Sequence, residues 1–245
     1  MEEIESMNRT PGAARRLTTE AGISYPGDAA LAGPARDVST TLSALCDGGF
    51  LESVEDLELG LRVDVFEPAR VAVVVGRSQD IGRVTNAGLA TADGVPVHRR
   101  RGGGGAVVLG PGMLVIAASG RSAGRFDVHT PFERVQGPIR EVLADFGVEP
   151  QTAGTSDLAL GGRKILGSSL YQTRDRWSYQ GVLLVRPDRR LFDRYLAYPD
   201  REPEYRRGRG HEAFTTSLAD AGVLADVPAL GRTIAEMIHR RVRDE

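Results

Sequence analysis

The chain has 245 residues, 41% of them hydrophobic, with 31 basic against 33 acidic side chains and a formal net charge of -2. That is enough chain to bury a sizeable core, and the near balance of charge excludes nonspecific nucleic-acid binding as the main activity, leaving any anion site to local clusters. The single cysteine (Cys46) excludes an internal disulfide, four scattered histidines (His98, His129, His211, His239) lack metal-ligand spacing, and no apolar run approaches the roughly 20 residues of a membrane span.

Residues 1 to 20 are polar and irregular and read as a disordered leader, with residues 21 to 245 expected to form a single domain. No charged-then-apolar signal opens the chain, so the expected location is the cytoplasm. "ARDVSTTLSALCDGGF" has Val38, Leu42 and Leu45 near helical spacing before Gly48-Gly49, which predicts a short helix carrying Cys46 as a packed small hydrophobe. "RVDVF", "RVAVVVG", "VPVHRR" and "AVVLGPGMLVIAAS" follow as β-branched, strand-like segments closed by Gly or Pro.

"HTPFERVQGPIREVLADFG" predicts a long helix with Thr130 as N-cap, Pro131 in the first turn, Glu133 completing a capping box and Gly147 beyond the end. Its buried stripe is Phe132, Val135, Ile139, Val142, Leu143 and Phe146, with a kink expected at Pro138. "SDLAL", Gly161-Gly162 and "RKILGSSLYQ" predict a hairpin, since adjacent glycines accept the positive φ angles of a tight turn. "SYQGVLLVRP" is a further strand, "YPDREPEYRRGRGHEAF" a charged loop, and Leu230, Ile234, Met237 and Ile238 the apolar face of a terminal helix. Strands on both sides of a capped helix indicate an α/β or α+β fold on a mixed β-sheet flanked by helices.

Two stretches stand out chemically. In "RRRGGGGAVVLGPG" (99 to 112), successive glycines ahead of a strand bare the backbone amides, and the arginines offer forks for a carboxylate or phosphate; a flexible low-complexity loop with exposed charges is the other reading. Neither a Walker A loop nor a strand-to-helix GxGxxG is present. In "GGRKILG", Lys164 is the only lysine among those 31 basic residues. A GC-rich genome would produce the arginine excess with no functional cause, but a site that needs a compact, swivelling point charge cannot exchange lysine for arginine's rigid fork.

Taken in order, "GRSQD" with Asn86, "RRRGGGGAVV", "GTSDLALGGRKILGSS" and "YQGVLLV" resemble the biotin/lipoate protein ligase family, in its lipoate-protein ligase A branch, over residues 66 to 218. The resemblance implies a class II synthetase or biotin ligase-like catalytic domain that activates lipoate, or another medium-chain acid, with ATP and Mg2+ to an acyl-adenylate. It then passes the acyl group to a lysine of a lipoyl carrier domain. It further implies Lys164 as the catalytic lysine, substrate and adenylate contacts at Arg77, Arg100, Gly103, Gly104, Gly105, Ala106, Val107, Asp157, Gly167 and Ser168, and Asp157 as a Mg2+ contact. Asp157 by itself also reads as a turn residue, Lys164 as a solvated hairpin residue, and "RRGRGHEAFTTSL" (206 to 218) as either a cover over the adenylate or a solvated loop.

The sequence departs from the family's pattern in places. "VLGPG" stands where ligases show a His-Asp pair and resembles the octanoyltransferases of the same superfamily, Gln180-Gly181 stands for a His-Gly pair, and the N-terminal helix lacks the family's acidic pattern. The chain ends soon after the terminal helix, so no C-terminal accessory domain is expected and a separate small accessory subunit is implied. A ligase ranks first, because transferase chemistry needs a thiolate beside the lysine and Cys46 is far upstream. The alternatives are an octanoyl or lipoyl transferase that uses no ATP, or a noncatalytic acyl-binding partner subunit. Neither nucleic acid nor membrane is an expected partner.

Overall fold

The computed structural model describes residues 60–122 and 126–243, so the expected leader, the helix near Val38 and Cys46 lie outside the described residues. In chain order the elements are β1 (Leu61–Phe66), β2 (Ala72–Val75), α1 (Ile81–Val84), α2 (Ala87–Ala92), β3 (Val97–Arg99), β4 (Ala106–Leu109), β5 (Met113–Arg121), α3 (His129–Asp145), β6 (Gln151–Ala153), β7 (Asp157–Leu160), β8 (Arg163–Gln172), β9 (Arg176–Leu184), α4 (Arg190–Tyr195), a 3-10 turn (Glu204–Arg206), α5 (His211–Phe214) and α6 (Val227–Arg243). A six-stranded sheet runs β1-β5-β9-β8-β7-β6 and a three-stranded sheet runs β3-β2-β4.

Every pairing in the large sheet is antiparallel. The mixed pairing is confined to the small sheet, where β2 is antiparallel to β4 but parallel to β3. A parallel pair cannot be closed by a tight turn, and α1 and α2 supply the crossover between β2 and β3. Hairpins link only the run β6-β7-β8-β9, in which Gly161 and Gly162 both have positive φ (57° and 71°) and join β7 to β8 as the sequence predicts. "GPG" is different, because β4 and β5 lie in separate sheets and Gly110–Gly112 carries the chain from one to the other. The Gly112 carbonyl accepts from the amides of Val185 and Arg186 at 3.1 and 2.8 Å, an architectural use of the motif.

Alternation along β5 sets the layers. Leu114, Ile116 and Ala118 join Val135, Ile139, Val142 and Leu143 of α3 and Leu230, Ile234 and Ile238 of α6 in one core. Val115 and Ala117, on the other face, meet Ala72 and Val74 of β2 and Leu109 of β4. Val73, Val75 and Val108 on the far side of the small sheet pack with Phe192, Tyr195 and Leu196. The order is therefore two long helices, large sheet, small sheet, short helices.

Helix α3 begins at His129 and not after a Thr130 cap. The Asp127 carboxylate, a charged and therefore stronger acceptor than the threonine hydroxyl, takes the His129 and Thr130 amides at 2.9 and 3.4 Å and the Thr130 hydroxyl at 2.6 Å. Glu133 pairs with Arg140 at 2.7 Å and builds no capping box. Pro138 sits inside the helix without ending it.

Candidate active site

Lys164 lies two residues after the hairpin turn, opposite Ala159. Strict alternation would send residues 164 and 167 to opposite faces of β8. The register slips between Leu158 and Ala159, so Leu158 faces Leu166 while Ala159 faces Lys164. This bulge puts Ile165 and Leu166 consecutively into the core, each 0% exposed, and returns Lys164 to the face of Gly167 and Asp157. There its side chain crosses Gly167 so closely that a Cβ on that residue would stand 2.4 Å from Lys164 Cε and 2.7 Å from Nζ. The ammonium ends 2.9 Å from Asp157 Oδ1, with 29% of the lysine side chain still open to solvent and hence to a ligand.

The glycine loop reaches the same face. Gly102 packs on Ser169, where an added Cβ would meet the hydroxyl oxygen at 3.0 Å. Ser169 is two residues from Gly167 along β8 and shares its orientation. Loop shape comes from backbone contacts and arginine: Gly76 donates to the Gly105 carbonyl and Arg77 to that of Gly102, both at 3.1 Å. Arg100, only 7% exposed, donates to the carbonyls of Gly103 (2.6 Å), Gly105 (2.9 Å) and Val74 (3.3 Å). Arg99 does the same for the preceding turn, reaching the carbonyls of Gly76, Arg77 and Gln79 at 3.0, 3.0 and 2.8 Å. A side chain at Gly76 would collide with the Gly104 carbonyl oxygen at 2.1 Å, whereas Gly103 and Gly105 have open space where a Cβ would be. The exposed Arg77, with Ser78, Gln79, Asp80, Ile81 and Arg99, lines an open groove of about 560 Å³ beside the loop.

The charged segment expected as a loop wraps the lysine hairpin. Thr216 N donates to the Lys164 carbonyl at 2.9 Å, Arg209 donates to the Gly162 carbonyl at 2.8 Å, and the Tyr205 hydroxyl donates to Asp157 Oδ2 at 2.7 Å. Arg206 is buried with its guanidinium over the rings of Tyr198 and Phe214, 4.8 and 4.9 Å from their centroids. Burial and the Asp157 charge push the Tyr205 phenol well above its usual value, so it remains a donor. His211 Nδ1 sits 3.0 Å from Asp193 Oδ1; burial, then the nearby Arg206 charge, lower its pKa, against the pull of Asp193.

The structure thus gathers Lys164, Asp157, Gly167 and the glycine loop on one sheet face. Ala106 and Val107 open β4 and pair with Val75 and Val74, carrying the loop into the small sheet. Ser168 points the other way, toward α3, where its hydroxyl donates to the Ser156 carbonyl at 2.6 Å and accepts from Gln136 at 3.2 Å. Alternation from Gly167 already contained that result. Asp157 is the first residue of β7 and 8% exposed, and not a solvated turn residue. As a single carboxylate it could offer Mg2+ one protein contact, a fit for an ion that takes most of its oxygens from phosphate and water; among the described residues no group of three or more His, Cys, Asp or Glu could hold a metal. Sequence reasoning missed Tyr205 and Ser169, and it read the arginines ahead of the glycines as forks for an anion where Arg99 and Arg100 donate to backbone carbonyls; only the crowding of Tyr205 among arginines could have drawn attention to it.

A family model described as the lipoyl protein ligase A/B catalytic domain matches residues 65–238. The chain is 29% identical over 113 residues to lipoate-protein ligase LplJ of Bacillus subtilis, covering 46% of this chain and 34% of that one. It is 29% identical over 119 residues to lipoate-protein ligase 1 of Staphylococcus aureus, covering 49% and 36%. These alignments span about a third of the length of either relative. In structure the chain is similar to lipoate-protein ligase A crystallised with ATP, with a TM-score of 0.70 at 16% identity over 83% of this chain and 81% of that one. It is also similar to the bipartite lipoate protein ligase of Thermoplasma acidophilum, with 0.69 at 17% identity over 84% and 80%. At such identities the structural likeness shows the fold alone. No described helix is long and apolar enough to cross a membrane.

Proposed function

Because the chain belongs to the lipoyl protein ligase A/B catalytic domain family, we propose that it is an ATP-dependent ligase that activates lipoate, or a medium-chain acid, and transfers the acyl group to a lysine of a lipoyl carrier domain. The observation that carries this is the lone lysine of the chain, swung by a β-bulge onto the face of the glycine loop and held 2.9 Å from Asp157 with its ammonium reachable. Similarity to the lipoate-protein ligases of B. subtilis and S. aureus supports the choice of acid.

In the first half-reaction an acid carboxylate oxygen attacks the α-phosphorus, the bond to pyrophosphate breaks, and negative charge builds on the phosphoryl oxygens. Lys164 answers that charge with three donors on a swivelling ammonium. In the second, the neutral amine of the carrier lysine attacks the acyl carbonyl, AMP leaves with the bonding electrons, and the amine loses a proton. The same ammonium sits between acyl oxygen and phosphate and stabilises both steps. Gly103 and Gly105 leave room for the adenylate against the backbone, and Arg100 keeps those carbonyls turned inward, so that they do not repel an anion. Asp157 is the residue that would hold a Mg2+ brought in with the nucleotide, and the ion would supply further charge neutralisation on phosphate. We also propose a cytoplasmic location and a separate small accessory subunit for adenylation, the latter by analogy with the bipartite ligase of T. acidophilum.

The test is the intact mass of a lipoyl carrier domain after incubation with the protein, lipoate and Mg-ATP, beside Lys164→Ala and an ATP-free arm supplied with octanoyl carrier. The ligase gives a lipoyl mass gain that needs ATP and drops about 10²- to 10³-fold without the ammonium. A gain in the ATP-free arm alone would establish the transferase instead.

A further inference from the structure

Asp157 is shared between two elements. Lys164 Nζ takes Oδ1 at 2.9 Å, and Tyr205 of the 3-10 turn donates to Oδ2 at 2.7 Å. The terminal torsion of an aspartate is soft, so a carboxylate held at one oxygen swings and carries its ion-pair partner with it. Held at both oxygens, it has a fixed plane. Tyr205 is itself fixed: its ring packs on Phe214 at 5.0 Å between centroids, its Cε1 would be 3.7 Å from a Cβ on Gly154, and Arg209 holds its carbonyl at 2.8 Å. The same segment fixes the lysine's main chain through Thr216 N.

We propose that Tyr205 is a positioning residue for the Lys164 ammonium, acting through Asp157. Its hydroxyl sets the plane of the carboxylate, and the carboxylate sets where over Gly167 the ammonium comes to rest. The segment from Tyr205 to Thr216 therefore aims the lysine from two sides, once through its counterion and once through its carbonyl. The catalytic consequence rests on the ligase reading of Lys164; the positioning itself does not.

That separation allows a test in which the two ideas fail differently. Lys164 is the only lysine of the chain, so acylation by acetic anhydride, followed as the mass gain of the peptide that carries it, reports on this one side chain. The reagent reaches the nitrogen only when the side chain swings away from the carboxylate that holds it. Tyr205→Phe removes one oxygen and keeps the ring. It is expected to speed acylation of Lys164 about tenfold or more, the scale of losing a hydrogen bond to a charged group. In the ligase assay it should lower kcat about tenfold, with KM for acid and Mg-ATP nearly unchanged, because misplacement and not binding is at fault. Phe214→Leu loosens the ring stack but spares the hydroxyl, and is expected to label only slightly faster than wild type and well below the rate of Tyr205→Phe. Wild-type labelling of Tyr205→Phe would overturn the proposal, as would Phe214→Leu labelling as fast as Tyr205→Phe, which would reduce the effect to packing. Faster labelling of Tyr205→Phe in a protein that shows no ATP-dependent turnover would support the positioning role and sink the ligase reading alone.

Discussion

The glycine loop and the lysine hairpin meet on one face of the large sheet, yet they are held in place by opposite means. Around the loop two of the arginines serve the backbone: Arg99 and Arg100 together donate to the carbonyls of Val74, Gly76, Arg77, Gln79, Gly103 and Gly105. At the hairpin the scaffold is a bulge and a carboxylate, and the positive charge stays reachable. The difference follows from the shapes of the two side chains. A planar fork with donors on several edges suits carbonyls that converge from a bent backbone, whereas a single charge that must follow a moving group suits an ammonium. Beside the site Arg99 and Arg100 serve the architecture, and the one lysine is kept for the chemistry proposed.

The comparison is broken most directly at Gly167. A methyl group there would occupy the path of the Lys164 side chain, with Cε at 2.4 Å. Gly167→Ala should push the ammonium off its partner and lower acyl transfer about 10²-fold, as ångström-scale misplacement does, with a stability loss of about 1–3 kcal/mol from overpacking. Steady-state ligation and a thermal melt check it, and full activity would mean that the lysine works from elsewhere.

Arg100 tests the other side. Arg100→Ala strands buried carbonyls at a cost of about 1–3 kcal/mol, so the melt should move and the KM for nucleotide should rise. Arg100→Lys should rescue little of either, since one ammonium cannot serve carbonyls spread over the loop. Gly103→Ala sharpens the contrast, because the added methyl meets nothing within 4 Å. Its melt should stay within about 0.5 kcal/mol of wild type, while KM for acid or ATP rises if ligand occupies that space. An unchanged KM would remove the loop from the site and leave it as architecture.

The smallest expected effect is at His211, in the segment that backs the hairpin. Burial, then Arg206, holds its imidazole below the ordinary value of 6.5. The unfolded chain therefore binds the proton more tightly than the folded one, so this group takes nothing from stability above about pH 7 and subtracts from it as pH falls below 6.5. Denaturant titrations of His211→Gln across that window should show a shallower acid loss than wild type. Parallel curves would mean that the imidazole is solvated.

Much of this arrangement follows from the sequence alone. Gly161-Gly162 between two alternating runs announces the hairpin because two positive φ angles admit few other residues. The stripe from Val135 to Leu143 announces α3 because one helix face must be apolar to bury it. The lone lysine and the glycine run mark the two halves of the candidate site by composition and spacing. Three things were not legible there. The side chain that takes the first amides of α3 is Asp127 and not Thr130, a competition between two nearby acceptors that only their geometry decides. Lys164 shares a face with Gly167 only through a bulge, and strict alternation would have put it with Ser168 instead. Tyr205 reaches Asp157 across 48 residues of chain. Patterns of period two or 3.6 are local and are written in the sequence. Which oxygen a distant hydroxyl finds, and which way a strand turns where its register slips, depend on packing between elements, and the tertiary structure alone decides them.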